Sequence, residues 1–294
     1  MKANKKTWIA LALSAALGTS QAATFVTPDG VLDNFGGFDW TSSASVLVKG
    51  YDIYKGMSGS KVGLSDVIDV YYNSFASAIL ADDGSTFVTP GLVKGTGAAG
   101  YEITVKAHFQ EVVTCLTFDC GVVSITPTTG TWGIFLDTAP NASLATQSGF
   151  GDGVKLLGGA FTGGQATISQ QSATNPGQGT SSASVAGTTS VTNNAYITPN
   201  LGGTSVISTL SFGRVIQGQP GPNGTWVRPT AWEGSGIGAS GNGVPSTSGN
   251  QKDFVGQADA SQSFFFSVPE PTSLALSGLA LLGLGLVSRR RKSA

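Results

Sequence analysis

Residues 101–110, with the sequence YEITVKAHFQ, decide the fold, because apolar and polar side chains alternate there over all ten positions. The apolar set is Tyr101, Ile103, Val105, Ala107 and Phe109. A period of two predicts a β-strand with one buried face and one face in water. The alternation breaks at Glu111–Val112, which predicts a β-bulge, after which the strand continues toward Cys115 and Phe118.

Strand-like stretches recur on both sides of this segment. They are a strand and turn at 24–39, a strand at 43–49, a hairpin of 122–125 and 131–136 around a turn at 127–130, a turn and strand at 148–157, a strand pair or one long strand at 205–216, and a strand at 260–267. The stretch 67–80 is ambiguous between strand and helix, and its aromatic residues favour a strand. With abundant turn residues and no long soluble helix, this pattern predicts an all-β antiparallel β-sandwich or barrel-like domain. Long Gly- and Ser-rich loops are expected within it, including a mobile loop at 175–189 and a loop at 217–250.

The N-terminal segment reads as a secretory signal. Residues 1–22 contain three lysines, then an apolar run at 8–17, then the small-x-small sequence Ser20-Gln21-Ala22. We therefore expect a signal helix at 1–22, cleaved after Ala22 or Ala23. An extracytoplasmic β domain is expected over residues 23–267.

The C-terminal segment, residues 268–294, has three parts in a fixed order. An extended, unpaired peptide is predicted first, because two of its residues are prolines: Pro269, Glu270, Pro271. The uncharged apolar run 272–287 follows, and its sixteen residues, at about 1.5 Å each, barely span a bilayer core of roughly 30 Å. A basic cluster then stops transfer on the cytoplasmic side of the predicted transmembrane helix: Arg289, Arg290, Arg291 and Lys292.

This three-part tail resembles the PEP-CTERM sorting signal, which exosortases read in Gram-negative bacteria. The resemblance implies an exported protein that is anchored transiently in the inner membrane and processed by an exosortase near Pro269–Pro271. It would then reach the cell surface or the extracellular matrix. The alternative is an ordinary tail anchor in which the sequence Pro-Glu-Pro is incidental.

A second resemblance covers most of the exported part in scattered stretches. Residues 38–45 (FDWTSSAS), the long strand with its nearby cysteines, and residues 133–157 (GIFLDTAPNAS to GFGDGVKLL) resemble the flocculation-associated PEP-CTERM subfamily. That resemblance implies a surface protein that promotes the aggregation of cells with exopolysaccharide. It brings no catalytic residues, so none are assigned.

Charge is unevenly distributed along the chain. Seven of the 16 basic residues lie in the signal and the basic cluster, whereas all 17 acidic residues lie between them. The exported part therefore carries nine basic residues and a net charge of −8. Nucleic acid is disfavoured as a partner, since phosphate binding needs a basic footprint.

The two cysteines, Cys115 and Cys120, enclose only four residues. In an exported protein they are expected to form a disulfide, worth roughly 2 kcal/mol for so short a loop. A metal site is the alternative, but other soft ligands are scarce because His108 is the only histidine. We therefore expect no metal and no cofactor.

Candidate chemistry is sparse elsewhere. The two matches to G-x-G-x-x-G, at 95–100 and 236–241, precede a strand and a loop rather than a helix, so they are interpreted as turns. His108 lies on the polar face of its strand and is interpreted as a solvated position. Paired carboxylates for glycoside hydrolysis remain an alternative, although the pair Glu102/Glu111 looks like a solvated face. We expect no enzymatic activity.

Two tryptophans in the loop at 217–250, Trp226 and Trp232, are the sequence's candidates for stacking on sugars. The alternative is that both rings pack inward and anchor this long loop. The first reading would make the protein an extracellular carbohydrate-binding module.

Overall fold

The alternating stretch lies in a long strand at the centre of an antiparallel sheet. The computed structural model describes residues 23–49, 59–97, 99–118, 122–170, 179–214 and 253–265. Its strands are β1 (Ala23–Thr27), β2 (Gly30–Lys49), β3 (Ser65–Ala81), β4 (Glu102–Cys115), β5 (Val122–Asp137), β6 (Val154–Gln170), β7 (Gly179–Thr192), β8 (Ile197–Thr198), β9 (Ser205–Arg214) and β10 (Asp253–Phe265). Within these ranges no helix is long and apolar enough to cross a membrane. The predicted signal and transmembrane helices lie outside them.

The sheet closes on itself. Strands pair antiparallel in the order β10-β9-β7-β6-β5-β4-β3-β2, and β10 also pairs with β2. This closure makes an eight-stranded barrel. The all-β prediction is therefore confirmed, and of the two predicted architectures, sandwich and barrel, the domain has the barrel. The 20-residue strand β2 serves both the barrel and an extension, since it pairs with β1 over residues 30–35 and with β10 over residues 37–49.

Aromatic side chains fill one part of the core. Phe25, Phe35 and Phe38 contact one another with ring centroids 5.2 to 5.9 Å apart. Phe264 of β10 lies 5.8 Å from Phe35 and 6.3 Å from Trp132 of β5. All five rings are almost completely buried, so this cluster joins the β1–β2 extension to the barrel strands. Burial of such large side chains is the main stabilising contribution to a fold of this kind.

A bulge lies beside the position where the sequence alternation breaks, but its extra residue is Thr128 of β5, so the prediction of a bulge in β4 is wrong in its strand. The β4–β5 register shifts between Gln110 and Glu111, so Gln110 pairs with Thr129 while Glu111 pairs with Pro127. The hairpin predicted over 122–136 is wrong, because β5 runs without a turn from Val122 to Asp137. Pro127 has no N–H to donate, and it is tolerated at the bulge, where the pairing with β4 is already irregular.

The loop predicted at 175–189 is also wrong from residue 179 onward, where β7 forms. Val185, Gly187 and Thr189 alternate as buried positions on β7. A Cβ at Gly187 would lie 3.3 Å from Nε1 of Trp132 and 2.8 Å from the carbonyl oxygen of Ala160. A small residue is therefore needed at Gly187, where β7 passes beside the Trp132 indole. The low hydrophobicity of residues 179–192 does not exclude a strand.

The other strand predictions stand, with shifted ends. Residues 24–49 form β1, a turn and β2, and residues 67–80 lie within β3. Residues 205–214 form β9, and the last strand starts at Asp253, seven residues before the predicted start. Gly95 and Gly97, within the match at 95–100, lie in a turn and take φ values of 72° and 94°.

A groove across the outer face of strands β3 to β6

The candidate functional site is an open groove of about 520 Å³ on the outer face of the barrel. It crosses β3, β4, β5 and β6 and reaches Ser190 of β7. Side chains that point outward from these strands form its floor and its two walls. We refer to it as the outer groove. Its volume falls within the range of ligand sites in proteins.

The floor follows one row of cross-strand partners. Asn73 pairs with Lys106, Lys106 with Gly133, and Gly133 with Gly158. Because Gly133 carries no side chain, the surface sinks there between the flanking rows, whereas Gly158 does not line the groove and is covered by the Lys155 side chain. A Cβ at Gly133 would lie 3.0 Å from the Phe135 ring and 3.2 Å from Cε of Lys155, so those two side chains already lean over the floor.

Tyr71 and His108 form one wall. The two residues are direct partners on β3 and β4, and their rings stack with centroids 4.2 Å apart and planes 4° from parallel. The Nε2 atom of His108 lies 3.1 Å from Oδ1 of Asp69, and the His108 side chain is 48% exposed. The sequence prediction of an exposed strand position for His108 is confirmed, but the ring is also held in place by these two neighbours.

Phe135 and Lys155 form the opposite wall as direct partners on β5 and β6. The Nζ atom of Lys155 lies 5.9 Å from the centroid of the Phe135 ring, within the range of a cation–π contact. Lys106 and Lys155 are both exposed. Neither ammonium group has an ion-pair partner among the residues that the structure describes.

The loop at 138–153 packs on the strands beside the outer groove. Phe150 packs on Phe75 with ring centroids 5.0 Å apart, and its carbonyl accepts a hydrogen bond of 3.1 Å from the Thr104 hydroxyl. The amide of Asn73 donates a buried hydrogen bond of 2.9 Å to Oε1 of Gln147. Polar and apolar contacts therefore both fix this loop on the strands, and one of them holds the groove residue Asn73.

The Glu102 carboxylate also fixes the loop at 138–153, through hydrogen bonds to the loop backbone. Its Oε1 accepts hydrogen bonds from the backbone N–H groups of Asn141 and Ala142 at 2.9 and 3.0 Å, and its Oε2 accepts one from Gly95 at 3.1 Å. Glu102 is 0% exposed, so its interpretation as a solvated position is wrong. The loop at 138–153 covers the first part of the polar face of β4, which the alternation alone does not reveal.

Glu111 is also buried, again against the sequence interpretation. The buried face of β4 keeps the same odd-numbered positions along the whole strand, so Glu111 is buried in phase with Phe109, Val113 and Cys115. Burial away from water raises the pKa of Glu111 to about 8. Glu102 and Glu111 lie nine positions apart on β4, on its opposite faces, so they do not form a catalytic carboxylate pair.

Several predicted site residues lie outside the described part of the chain. They are Cys120, Trp226, Trp232, Pro269, Glu270, Pro271, Arg289, Arg290, Arg291 and Lys292. Cys115 is buried and disulfide-bonded. Its pairing with Cys120 stays a prediction. In the described ranges, no group of three histidine, cysteine or carboxylate side chains is placed to hold a metal ion.

The outer groove was not predicted from the sequence. Its members come from five strands, and only the register brings Gly133 between Lys106 and Gly158. The available signal was the outward phase of Lys106 and His108 on β4. Aromatic walls, hydroxyl and amide groups and two lysines suit a flat polar ligand, since aromatic faces stack on rings while donors fix their orientation.

Comparison with known proteins identifies the tail. Residues 267–292 match the PEP-CTERM protein-sorting motif. No curated protein and no solved structure matches the chain. The motif indicates an exported protein whose precursor is anchored in a membrane and processed by an exosortase before it reaches the surface. The chain is thus an exosortase substrate that carries a β-barrel domain with an open groove.

Proposed function

We propose that this exported barrel promotes the aggregation of cells by binding exopolysaccharide in the outer groove. The proposal places the protein at the surface or in the matrix of a Gram-negative bacterium, after release near Pro269–Pro271. It assigns no catalytic step to the protein. The observation that carries it is a groove with aromatic walls on a domain whose tail routes it to the surface.

The geometry of the outer groove supports a polymer as the ligand. The groove extends across β3 to β6 and is open to solvent, so a ligand longer than the groove can extend beyond it. Tyr71, His108 and Phe135 provide ring faces, and Asn73, Thr131 and Ser190 provide hydrogen-bonding groups. This mixture suits sugar rings, which have an apolar face and polar edges.

Binding through Trp226 and Trp232 is a second candidate of the same class. The tryptophan pair and the outer groove would both bind polysaccharide. Substitutions can distinguish the two sites, because the tryptophans lie in the β9–β10 connection whereas the outer groove lies on β3 to β6. Loss of binding in Trp226→Ala/Trp232→Ala, with full binding in a groove variant, would move the site to that connection.

A settling assay tests the proposal. Cells lacking the gene are compared with cells complemented by the wild type, by Pro269→Ala/Glu270→Ala, by Tyr71→Ala/Phe135→Ala, or by Val88→Ala as a control. Val88 is 89% exposed and does not line the outer groove. We expect the wild type and the control to restore settling, and the other two versions to fail. Unchanged settling after deletion of the gene contradicts the aggregation role.

A further inference from the structure

We propose that the outer groove selects polysaccharides that carry carboxylate groups, such as uronic acid polymers, over neutral ones. This inference rests on the proposed function and names the chemical class of its ligand. It depends on the placement of Lys106 and Lys155, which the sequence analysis did not single out.

The local charge of the outer groove is opposite to that of the domain. The exported part carries a net charge of −8, yet two of its nine basic residues line this one groove. Within the described residues neither lysine has an ion-pair partner, so each ammonium group is available to a ligand. The nearby carboxylate, Asp69, is engaged by His108 at 3.1 Å.

The two lysines flank an aromatic ring. Cδ of Lys106 and Cζ of Phe135 lie 3.5 and 3.8 Å from the position that a Cβ at Gly151 would take, so both side chains approach the same point. Lys155 lies over the ring of Phe135 with its Nζ atom 5.9 Å from the centroid. The order is therefore lysine, aromatic ring, lysine, with Phe135 and Lys155 directly above Gly133.

This order matches a chain of acidic sugars. The register places Lys106 and Lys155 two strands and about two residues apart, which corresponds to roughly 12 Å between their Cα atoms. A sugar ring that lies on Phe135 would present its carboxylate to one lysine, and a neighbouring sugar would present its own to the other. Each such contact is a charge-assisted hydrogen bond, the stronger kind.

An acidic peptide fits less well. Peptides that bind sheets commonly add a strand to an exposed edge, and their main-chain hydrogen bonds supply the affinity. At the outer groove β4 and β5 are paired on both sides, so they offer no such edge. A ligand must bind to side chains that project from the face of the sheet, which favours stacking sugar rings.

Binding measurements with two matched polymers test the inference. The full chain, purified in a non-ionic detergent, is titrated with polygalacturonate and with its methyl ester, in which the carboxylate charges are removed. We expect at least tenfold tighter binding to polygalacturonate, weakening as salt is raised. Lys106→Gln/Lys155→Gln should lose about tenfold in affinity for polygalacturonate and little for the ester. Lys94→Gln, an exposed lysine outside the groove, is the matched control and should bind as the wild type does.

Other outcomes overturn the inference in distinguishable ways. Equal affinity for the two polymers, with loss of both in Tyr71→Ala/Phe135→Ala, means that the groove binds sugars without selecting charge, and the proposed function survives. Competition by polyglutamate as strong as that by polygalacturonate means that charge alone is recognised and the sugar assignment fails. If neither polymer nor the exopolysaccharide of the cell binds, the proposed function fails as well.

Discussion

The rings of Tyr71 and His108 lie parallel, 4.2 Å apart, on adjacent strands of the barrel. Because they are direct cross-strand partners, the register of β3 and β4 creates the contact, and it cannot form if either strand slips by one residue. Asp69 holds the His108 ring from the neighbouring position at 3.1 Å. The wall of the outer groove is therefore ordered before any ligand arrives.

A double-mutant cycle measures this stack. Cross-strand aromatic pairs contribute roughly 0.2–1 kcal/mol relative to alanine pairs, so we expect Tyr71→Ala and His108→Ala to be non-additive by about 0.5 kcal/mol in the free energy of unfolding. Denaturant unfolding followed by tryptophan fluorescence provides the values. Strict additivity of the two substitutions would show that the stacked rings do not interact energetically.

Glu102 provides the second prediction, because it joins two loops to β4. Substitution by glutamine removes the charge and places an NH₂ group among three backbone donors, so we expect a loss of about 2–4 kcal/mol in the free energy of unfolding. Hydrogen exchange should also quicken at the amides of Gly95, Asn141 and Ala142. Asp82→Asn, at an exposed turn, is the control and should leave all three amides protected.

Gly159 provides a third prediction, on the packing of the barrel. A Cβ at this position would lie 1.9 Å from the carbonyl oxygen of Thr188 and 2.8 Å from the Trp132 ring, so the β6–β7 pairing must shift to admit it. We expect Gly159→Ala to destabilise the fold by about 3 kcal/mol, at the upper end of overpacking effects. At Gly151 the nearest atom is 3.5 Å away, and Gly151→Ala should unfold at nearly the wild-type temperature. Equal effects of the two substitutions would contradict this account.

The strands were predictable where their alternation is strong. Residues 102–110 lie in β4, as their alternation predicts, and residues 67–80, whose aromatic side chains favoured a strand over a helix, lie in β3. The strand β7 was missed because its inward positions include valine, glycine and threonine, and at Gly187 the space is limited by Trp132 on another strand. The sequence of residues 179–192 alone does not reveal this limit on size, because Trp132 belongs to β5.

The candidate site was less predictable than the fold. Lys106 and His108 were assigned correctly to the polar face of β4, but the partners of that face come from β3, β5 and β6 through the sheet register. Glu102 and Glu111 were misplaced for two different reasons. A loop distant in sequence covers Glu102, and Glu111 is a charged residue at a position that belongs to the buried phase of β4.

Glu111 gives the last prediction, a pH dependence of stability. Its pKa is about 8 in the folded protein, against an ordinary value of 4.5, so the folded state holds this proton more tightly than the unfolded state does. Between pH 4.5 and 8 the native state binds more protons, and stability must fall as the pH rises, by at most about 1.4 kcal/mol per pH unit. Below and above this window, Glu111 does not change the pH dependence of the unfolding free energy.

Glu111→Gln cannot titrate, so its unfolding free energy should not show this decline and should exceed that of the wild type above pH 8. Denaturant unfolding from pH 4 to 9 measures both curves, with Asp82→Asn as the exposed control. Parallel curves for the wild type and Glu111→Gln would mean that the Glu111 carboxyl titrates at the same pH in the folded and unfolded chain.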